Sequence, residues 1–529
     1  MATTVKQPAV LEDLHHDWHP DVSPWIIAVT VMLATFMEVL DTSVANVSLP
    51  HIAGSLSASN EEATWVLTSY LVSNAIVLPL SGWFSALMGR KRFYMSCVAL
   101  FTASSLMCGL APSLGSLVFF RVLQGAGGGA LQPVSQAILV ESFPRTKTGM
   151  AMAVYGMGVV VAPILGPTLG GWITDNYSWR WIFLINIPVG VLSLTMTGAL
   201  ITDSPYSQKK KGGLHIDYMG LGLLSVGLGC LQVVLDKGEQ EDWFGSRWIT
   251  WMTVAAVFAL LAVIIWELRL KEPLVDLRLL KNRNFALATT TMFFLGFVLY
   301  ASTMLLPLFL QTLMGYDAML SGLVLSPGGL VVLCAMPLVG RLIGKYQARW
   351  LLMFGLVMTS ISLVQMARFN LNIDFRTAVW ARCVQGAGLA FLFVPLNTLA
   401  FSFIPKSKVN SATGLINLAR NMGGSFGIAG VVTLLSRRMQ FHRARLVEHL
   451  TPFDTAYRIT MSGIQQTLEA VKGGAAHAYG MLNGLVNRQA AMLSYVDCFW
   501  ALAIAFVLMV PLALMMKKNR GAAVSVPGH

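Results

Sequence analysis

The sequence predicts an all-α polytopic membrane protein built from two related six-helix bundles, with two further membrane helices between them. The first observation behind this prediction is composition. Of 529 residues, 55% are hydrophobic and only 12% are charged, which is too little charge to cover a soluble globule of this size. The second is an internal repeat: residues 121–127 (RVLQGAG) and 382–388 (RCVQGAG) are near copies, each within a stretch apolar enough to cross a bilayer. Duplicated helical bundles are typical of transporters.

Apolar runs of about 18 to 22 residues, enough to cross about 30 Å of hydrocarbon at about 1.5 Å per residue, recur along the chain. They predict fourteen spans, at 25–48, 62–82, 93–111, 116–140, 150–172, 181–201, 217–235, 247–266, 284–307, 319–340, 349–368, 377–402, 411–434 and 494–515.

Aligning the two arginine repeats divides the chain into bundles at 25–201 and 284–515, with tails at 1–24 and 516–529. The segment 202–283 between the bundles holds two extra spans. They are either a spacer or a surface for lipid contact or oligomerisation. A long loop is expected at 436–493, between the last two spans. It is rich in arginine and is either a place where partners dock or solvated filler.

The net charge of +12 is distributed in a way that indicates a membrane rather than nucleic acid. Basic residues concentrate in loops predicted on one side, such as 90–92, 209–211 and 278–283, whereas the short opposite loops hold few. By the positive-inside rule, both termini are cytoplasmic. The first span has no small-residue cleavage site after it, so we interpret it as retained.

Two acids and one arginine lie within the predicted hydrocarbon region of the first bundle. Glu38 and Asp41 are three residues apart and share a helical face, which must look into the bundle because a charge at mid-membrane costs about 2.5 to 3.5 kcal/mol. At about 1.5 Å per residue, Asp41 and Arg121 fall at similar depth. Burial disfavours a charged carboxylate and a guanidinium favours it, so a small movement of Arg121 can switch proton binding. A static buried ion pair is the alternative.

Several segments resemble signatures of the major facilitator superfamily. Residues 81–92 are similar to its loop signature, in which Gly82, Gly89 and Arg90 would act in gating, although Ala86 stands where the family usually has aspartate. Residues 117–128 resemble its fourth-helix signature, which is associated with proton coupling. Residues 158–171 resemble the signature of its antiporters, with Gly158, Pro163, Gly166, Pro167, Gly170 and Gly171 as conformational residues. Small residues allow close helix packing, and proline permits bending.

The chain as a whole, over about 24–515, resembles the EmrB-type fourteen-span drug:proton antiporters and their fatty-acid-exporting relatives. Residues 40–50, 64–70, 179–190 and 420–425 carry this likeness. The resemblance implies the major facilitator fold and a pump of the bacterial inner membrane that uses the proton gradient and no bound cofactor. It also implies a periplasmic adaptor of the EmrA type and an outer-membrane channel of the TolC type. The expected substrates are hydrophobic or amphipathic: drugs, uncouplers, detergents and long-chain fatty acids.

Aromatic, methionine and amide side chains of the predicted spans can line an adaptable cavity, although each one singly is also ordinary helix packing. The candidates are Phe36, Met37, Asn46, Trp65, Tyr70, Gln124, Met152, Tyr155, Met157, Gln385, Asn417 and Arg420. The span 284–307, which is equivalent to the first span, contains no acid. This leaves Arg382 and Arg420 a structural or anionic-substrate role, and Arg382 is also a gating candidate.

Other classes of function fit the sequence less well. There is no HExxH, GxSxG or phosphate-binding loop, and the six cysteines lack metal-ligand spacing, so neither an enzyme nor a metal site is expected. A channel would not need two acids facing a duplicated arginine. A proton-coupled importer, or an exporter of one endogenous metabolite, remains the alternative.

Overall fold

The computed structural model describes residues 20–144, 147–203, 217–270, 273–343, 345–401, 404–405, 408–448, 450–451, 453–468 and 474–516. Within these residues the secondary structure is helical, without strands. The basic segment 209–211 and most of the two predicted tails lie outside the described residues.

The described α-helices are numbered in chain order as follows: α1 (Pro24–Val47), α2 (Leu49–Ser55), α3 (Asn60–Ala63), α4 (Trp65–Met88), α5 (Arg90–Gly109), α6 (Leu114–Gly128), α7 (Leu131–Ser142), α8 (Thr148–Asn176), α9 (Trp181–Leu184), α10 (Asn186–Leu200), α11 (Tyr218–Lys237), α12 (Arg247–Arg269), α13 (Arg283–Thr312), α14 (Ala318–Leu342), α15 (Ala348–Met366), α16 (Phe375–Phe401), α17 (Val409–Glu448), α18 (Thr455–Leu468), α19 (Gly474–Val507) and α20 (Val510–Met515).

Every predicted span coincides with a helix or with two consecutive helices. By length and composition, 11 helical segments in the described part of the chain could cross a membrane, and α8 makes a twelfth although it bends by 42° between Pro163 and Leu165. The two remaining predicted spans are α5 and α17, which contain more polar residues. The chain is thus a multi-pass membrane protein, and the count of fourteen stays a prediction.

Helices α1 to α10 pack as one bundle and α13 to α20 as another, and α8 with α14 and α4 with α17 form the main contacts between them. Glycines allow the closest approaches. A Cβ at Gly423 of α17 would overlap the carbonyl oxygen of Phe293 on α13, and one at Gly427 would overlap that of Phe297. We call the end of the molecule that holds Arg90 the Arg90 end, and the opposite end, which holds Trp179, the Trp179 end.

The inserted helix α11 is part of the packed structure rather than a spacer. It contacts α4 of the first bundle, where the hydroxyl of Thr68 donates to Asp236, and α17 of the second, where Ser425 Oγ donates to Gln232 Oε1 over 3.0 Å. Helix α12 packs on α11 and leaves large side chains such as Trp251 and Phe258 more than 70% exposed. The exposed apolar side chains of α12 fit the predicted surface for lipid contact, whereas α11 joins the two bundles.

The predicted long loop at 436–493 differs from the structure, which is mostly helical there. Helix α17 continues without a break to Glu448, α18 follows, and α19 begins at Gly474. Residues 431–448 contain neither glycine nor proline, so nothing in the sequence ends the helix where its apolar part ends. Hydropathy located the apolar part of α17 but carried no information on its polar extension.

Two glycines on α6 test how tightly the first bundle is packed. A Cβ at Gly125 would overlap the carbonyl oxygen of Tyr70 on α4, whereas one at Gly115 has no neighbour within 4 Å. We expect Gly125→Ala to destabilise the protein by about 1 to 3 kcal/mol through overpacking, and Gly115→Ala to leave it unchanged. Thermal unfolding of the purified variants in detergent measures this. Equal unfolding temperatures would contradict the packing.

Candidate functional site

An ion pair between Asp41 of α1 and Arg121 of α6 lies at the centre of the first bundle. Arg121 Nη1 donates to Asp41 Oδ2 over 2.6 Å, and both side chains are almost completely buried. The other carboxylate oxygen accepts from Gln124 Nε2 at 3.0 Å and from Asn186 Nδ2 at 2.7 Å. Both carboxylate oxygens of Asp41 therefore accept hydrogen bonds inside the bundle, and Arg121 is close to Asp41, as their similar depths in the sequence suggested.

The same arginine ties further helices to this pair. Its Nε donates to the carbonyl oxygen of Val66 on α4 over 3.0 Å, and its guanidinium lies 4.3 Å from the ring centre of Tyr70. Gln124 and Asn186 both donate to Ser105 of α5 as well. Side chains and backbone from α1, α4, α5, α6 and α10 thus meet around one buried charge pair.

Glu38, one helical turn before Asp41, has a different environment. Its carboxylate accepts from Tyr70 Oη at 3.0 Å, from Asn74 Nδ2 at 3.2 Å and from Gln132 Nε2 at 2.6 Å. None of the ion pairs in the described part of the chain includes Glu38, which is 3% exposed. Three neutral donors hold a buried acid here.

Amide side chains of α7 connect this acid to the second bundle. Gln132 accepts a hydrogen bond from Arg420 Nη2 of α17 while it donates to Glu38. One turn away, Gln136 donates to Asn397 Oδ1 of α16 over 2.6 Å and accepts from Asn417 Nδ2 at 2.8 Å. We call these five residues, Gln132, Gln136, Asn397, Asn417 and Arg420, the amide seam.

The second bundle repeats the arginine and glutamine but not the acid. Arg382 donates to Gln385, and Gln385 Nε2 donates to Ser302 Oγ of α13 over 2.8 Å. Ser302 follows Asp41 by the same 261 residues that separate the two arginines, so it is the equivalent of Asp41. Arg382 is 2% exposed, and its Nε has no hydrogen-bond partner in the described residues.

A second buried ion pair lies at the Arg90 end. The guanidinium of Arg90, at the start of α5, contacts the carboxylate of Glu141 on α7, and both residues are at most 5% exposed. With its amide oriented to accept, Asn410 of α17 lies 3.1 Å from Arg90 Nη2. Nearby, a Cβ at Gly82 would approach Ser411 to 3.0 Å, and Gly89 adopts a φ of 85° in the turn before α5. This pair therefore lies within the first bundle and holds Arg90 against Asn410 of the second bundle at this end.

Glu141 supplies the carboxylate that the sequence lacks at Ala86, and sequence reasoning missed it. The available signal was a single acid at the end of an otherwise apolar span, next to the repeated basic turn that starts at 143. Asn74, Gln132, Gln136, Asn186, Ser302 and Asn397 were also missed, because amides and hydroxyls in apolar helices do not identify their own partners.

The predicted conformational residues of α8 mostly face α1. A Cβ at Gly158 would lie 2.9 Å from Met32 Cγ, one at Gly166 would overlap Ser43, and one at Gly170 would lie 3.0 Å from Val44 Cγ1. Gly171 differs, since nothing lies within 4 Å of its Cβ position. Helix packing therefore explains three of the four glycines. Pro163 lies at the bend and Pro167 in the turn that follows it.

Two of the predicted cavity residues lie away from the interior. Asn46 is exposed in the last turn of α1, and Trp65 is 38% exposed at the start of α4 with Lys237 Nζ 5.3 Å from its ring centre. The remaining candidates are buried or half-buried: Phe36, Met37, Tyr70, Gln124, Met152, Tyr155, Met157, Gln385, Asn417 and Arg420. Their helices place Asn46 and Trp65 at the Trp179 end, outside the interior of the bundle.

Residues 31–428 match the family model described as Major Facilitator Superfamily. The chain is 38% identical over 497 residues to the "Fatty acid resistance protein FarB" of Neisseria gonorrhoeae, covering 93% of this chain and 96% of that protein. It is 36% identical over 498 residues to the "Multidrug export protein EmrB" of Escherichia coli strain K12, covering 94% and 96%.

The fold is also similar to that of a solved structure, the major facilitator superfamily proton:xylose symporter XylE, with a TM-score of 0.59. The two chains are 15% identical, and the match covers 94% of this chain and 97% of the other. At this identity the likeness concerns the fold alone.

The buried pair of Arg121 and Asp41 gives a stability prediction. We expect Arg121→Ala to destabilise the protein by about 3 to 5 kcal/mol, because it leaves Asp41 buried without its counter-ion. The double variant Arg121→Ala with Asp41→Ala removes both charges and is expected to recover part of the loss. Thermal unfolding in detergent compares the three proteins. A double variant no more stable than Arg121→Ala would contradict a tight charge pair.

The pair of Arg90 and Glu141 gives an accessibility prediction. In a background in which the native cysteines are replaced by alanine, a cysteine at Ser81, which is 1% exposed beside α17, reports opening of the Arg90 end. We expect Glu141→Gln to raise its alkylation rate by a water-soluble maleimide by about tenfold or more, since a broken buried pair costs well over 1.4 kcal/mol.

The matched control is a cysteine at Leu87, which is already 37% exposed on the same helix and should react equally in both proteins. An unchanged rate at Ser81→Cys would mean that Glu141 does not hold this end closed.

Proposed function

The chain belongs to the major facilitator superfamily, and on that premise we propose that it exports hydrophobic and amphipathic compounds in exchange for protons. No cofactor is required for this, because the proton gradient supplies the energy. A proton moving down a membrane potential releases about 2.3 kcal/mol per 100 mV, so one or two protons sustain a useful substrate gradient.

We place the Arg90 end in the cytoplasm of a bacterial cell, with the protein in the inner membrane. The basic loops at this end support the assignment through the positive-inside rule. Substrate would enter a cavity from the cytoplasm or the inner leaflet after the closed Arg90 end opens. Rocking of the two bundles about α8 and α14 would then expose the bound substrate to the periplasmic side.

The observation that carries proton coupling is the contrast between the two acids of α1. Asp41 is held by a guanidinium and two amides, whereas Glu38 accepts hydrogen bonds from a hydroxyl and two amides and forms no ion pair in the described residues. A neighbouring guanidinium favours the charged form of a carboxylate, whereas neutral donors bring no positive charge. Glu38 is therefore the proposed proton carrier, and Asp41 with Arg121 forms the rigid frame that positions it.

The proposed substrates follow from the relatives and from the buried residues. Two relatives are named for fatty-acid resistance and for multidrug export. Met37, Met152 and Tyr155 supply a polarizable and aromatic surface near the acids and the amide seam, which suits several ligands of similar polarity.

A periplasmic adaptor and an outer-membrane channel are the proposed partners. The extension of α17 beyond the apolar span, together with α18 and the first turns of α19, forms a helical projection at the Trp179 end. It carries Arg437, Arg438, Arg443 and Arg445. Such a projection, predicted on the periplasmic side, is the proposed contact surface for the adaptor.

The central test is Glu38→Gln in the full-length protein reconstituted in liposomes. We expect it to abolish export driven by a pH gradient while it retains exchange of substrate for substrate, because glutamine keeps the shape of the side chain and one oxygen to accept from Tyr70 and Asn74 but carries no exchangeable acid proton. Asp41→Asn is expected to lower both activities together, because it weakens the frame. Proton release followed by a pH-sensitive dye and substrate flux measure the two activities.

Glu61→Gln, at an exposed position near the start of α4, is the matched control and should behave as wild type. Gradient-driven export that survives Glu38→Gln would refute Glu38 as the carrier. Substrate that moves inward with protons in oriented vesicles would favour the alternative, a proton-coupled importer.

A further inference from the structure

We propose that Arg420 binds the anionic head group of the transported compound and so selects amphipathic anions over amphipathic cations. This inference rests on the proposed function and names the chemical class that its site takes.

The second bundle contains few acids, and they lie away from its buried arginines. Between residues 284 and 440 the sequence contains two acids, Asp317 and Asp374, and each lies exposed at the start of a helix. In contrast, Arg382 and Arg420 are 2% and 1% exposed. The second bundle therefore buries positive charge without a carboxylate of its own. The acid that interacts electrostatically with Arg420 is Glu38 of the first bundle, and a buried charge that loses such a partner is costly.

Arg420 is incompletely satisfied even in the closed arrangement. Its Nη2 donates to Gln132, its Nε has no hydrogen-bond partner in the described part of the chain, and none of the ion pairs found there includes it. The guanidinium edge formed by Nε and a terminal nitrogen binds carboxylate, sulfonate or phosphate oxygens in pairs. An anionic head group supplies the acceptors that this edge lacks.

The two buried arginines differ in which surface they face. Arg382 contacts Gln385 and Thr303 of its own bundle, and it stays paired with them when the bundles move apart. Arg420 contacts Gln132 of the other bundle, so separation of the bundles removes this partner and exposes the guanidinium to the opened cleft. A ligand that enters between the bundles thus meets Arg420 rather than Arg382.

An apolar surface lies beside Arg420 to receive the rest of an amphipathic molecule. Tyr155, which interacts with Arg420, stacks on Phe393 with ring centres 6.1 Å apart. A Cβ at Gly156 would lie 2.8 Å from Phe393 Cδ1 and 2.9 Å from Met336 Sδ. These side chains come from both bundles, so they separate together with the amide seam. An alkyl tail can then replace the contacts that they lose.

The test uses two probes with the same twelve-carbon tail and opposite permanent charge, dodecyl sulfonate and dodecyltrimethylammonium, below their micelle-forming concentrations. The full-length protein is reconstituted in liposomes with a preset pH gradient, and the protein-dependent rate at which each probe collapses the gradient is measured. We expect wild type to respond faster to the sulfonate. Arg420→Gln should lower the ratio of sulfonate to ammonium rates by about tenfold or more, the loss of a charged hydrogen bond.

Two further variants make the result specific. Arg420→Lys keeps the charge and should retain most of the preference for the sulfonate. Arg382→Gln removes the other buried arginine and should change both rates by the same factor, so that their ratio stays as in wild type. The wild-type comparison needs no substitution, so the test remains decisive if Arg420→Gln fails to fold.

A ratio that is unchanged in Arg420→Gln, or a wild type that prefers the ammonium probe, would overturn the inference and leave proton-driven export intact. A wild type that responds to neither probe and to no other amphipathic compound would instead contradict the proposed function itself.

Discussion

The burial of the Arg121–Asp41 pair is the constraint on which the first bundle depends. A guanidinium and a carboxylate in hydrocarbon are tolerable only with all their neighbours in place, and here those neighbours come from α1, α4, α5, α6 and α10. Because Glu38 lies one turn from Asp41, the frame that fixes Asp41 also fixes where Glu38 sits. The position of Glu38, whose hydrogen-bond partners are neutral, therefore depends on the ion pair between Asp41 and Arg121.

The second bundle keeps the arginine and glutamine of this site but not its acids. In the second bundle Ser302 replaces Asp41, and Leu299 stands at the position equivalent to Glu38, so the arginine and glutamine remain without either acid. The two halves therefore share a helical scaffold but differ in electrostatics. The acids belong to the first half, and the second half holds buried positive charge with no acid of its own; Arg420 interacts electrostatically with Glu38 of the first half. A compound bound between them meets a different environment on each side.

The sequence was sufficient to predict what composition and periodicity report: the membrane helices, the duplication, and the common depth of Asp41 and Arg121. It could not show which acid is ion-paired, because Glu38 and Asp41 share one helical face and only the rotation of α6 against α1 decides between them. Glu141 was missed, although it is a single acid at the end of an apolar span, because the sequence does not show that the start of α5 lies beside the end of α7. The polar extension of α17 was missed because hydropathy describes only the part of a helix that lies in the membrane.

The location of the polar contacts separates what is rigid from what can move. Among the described residues, the two buried ion pairs, Arg121 with Asp41 and Arg90 with Glu141, each join helices of the first bundle. The seam between the bundles consists instead of four amides and Arg420, with Gln136 bonded to Asn397, its own equivalent 261 residues later, close to the axis that relates the halves. A neutral hydrogen bond contributes only about 1 kcal/mol and one to a charged group about 1.5 to 3 kcal/mol, whereas breaking a buried ion pair costs about 3 to 5 kcal/mol. The bundles can therefore separate along the seam while the Arg121–Asp41 pair stays intact. Gln132 hydrogen-bonds to both Glu38 and Arg420, so separation of the bundles changes the hydrogen bonding of Glu38 through Gln132.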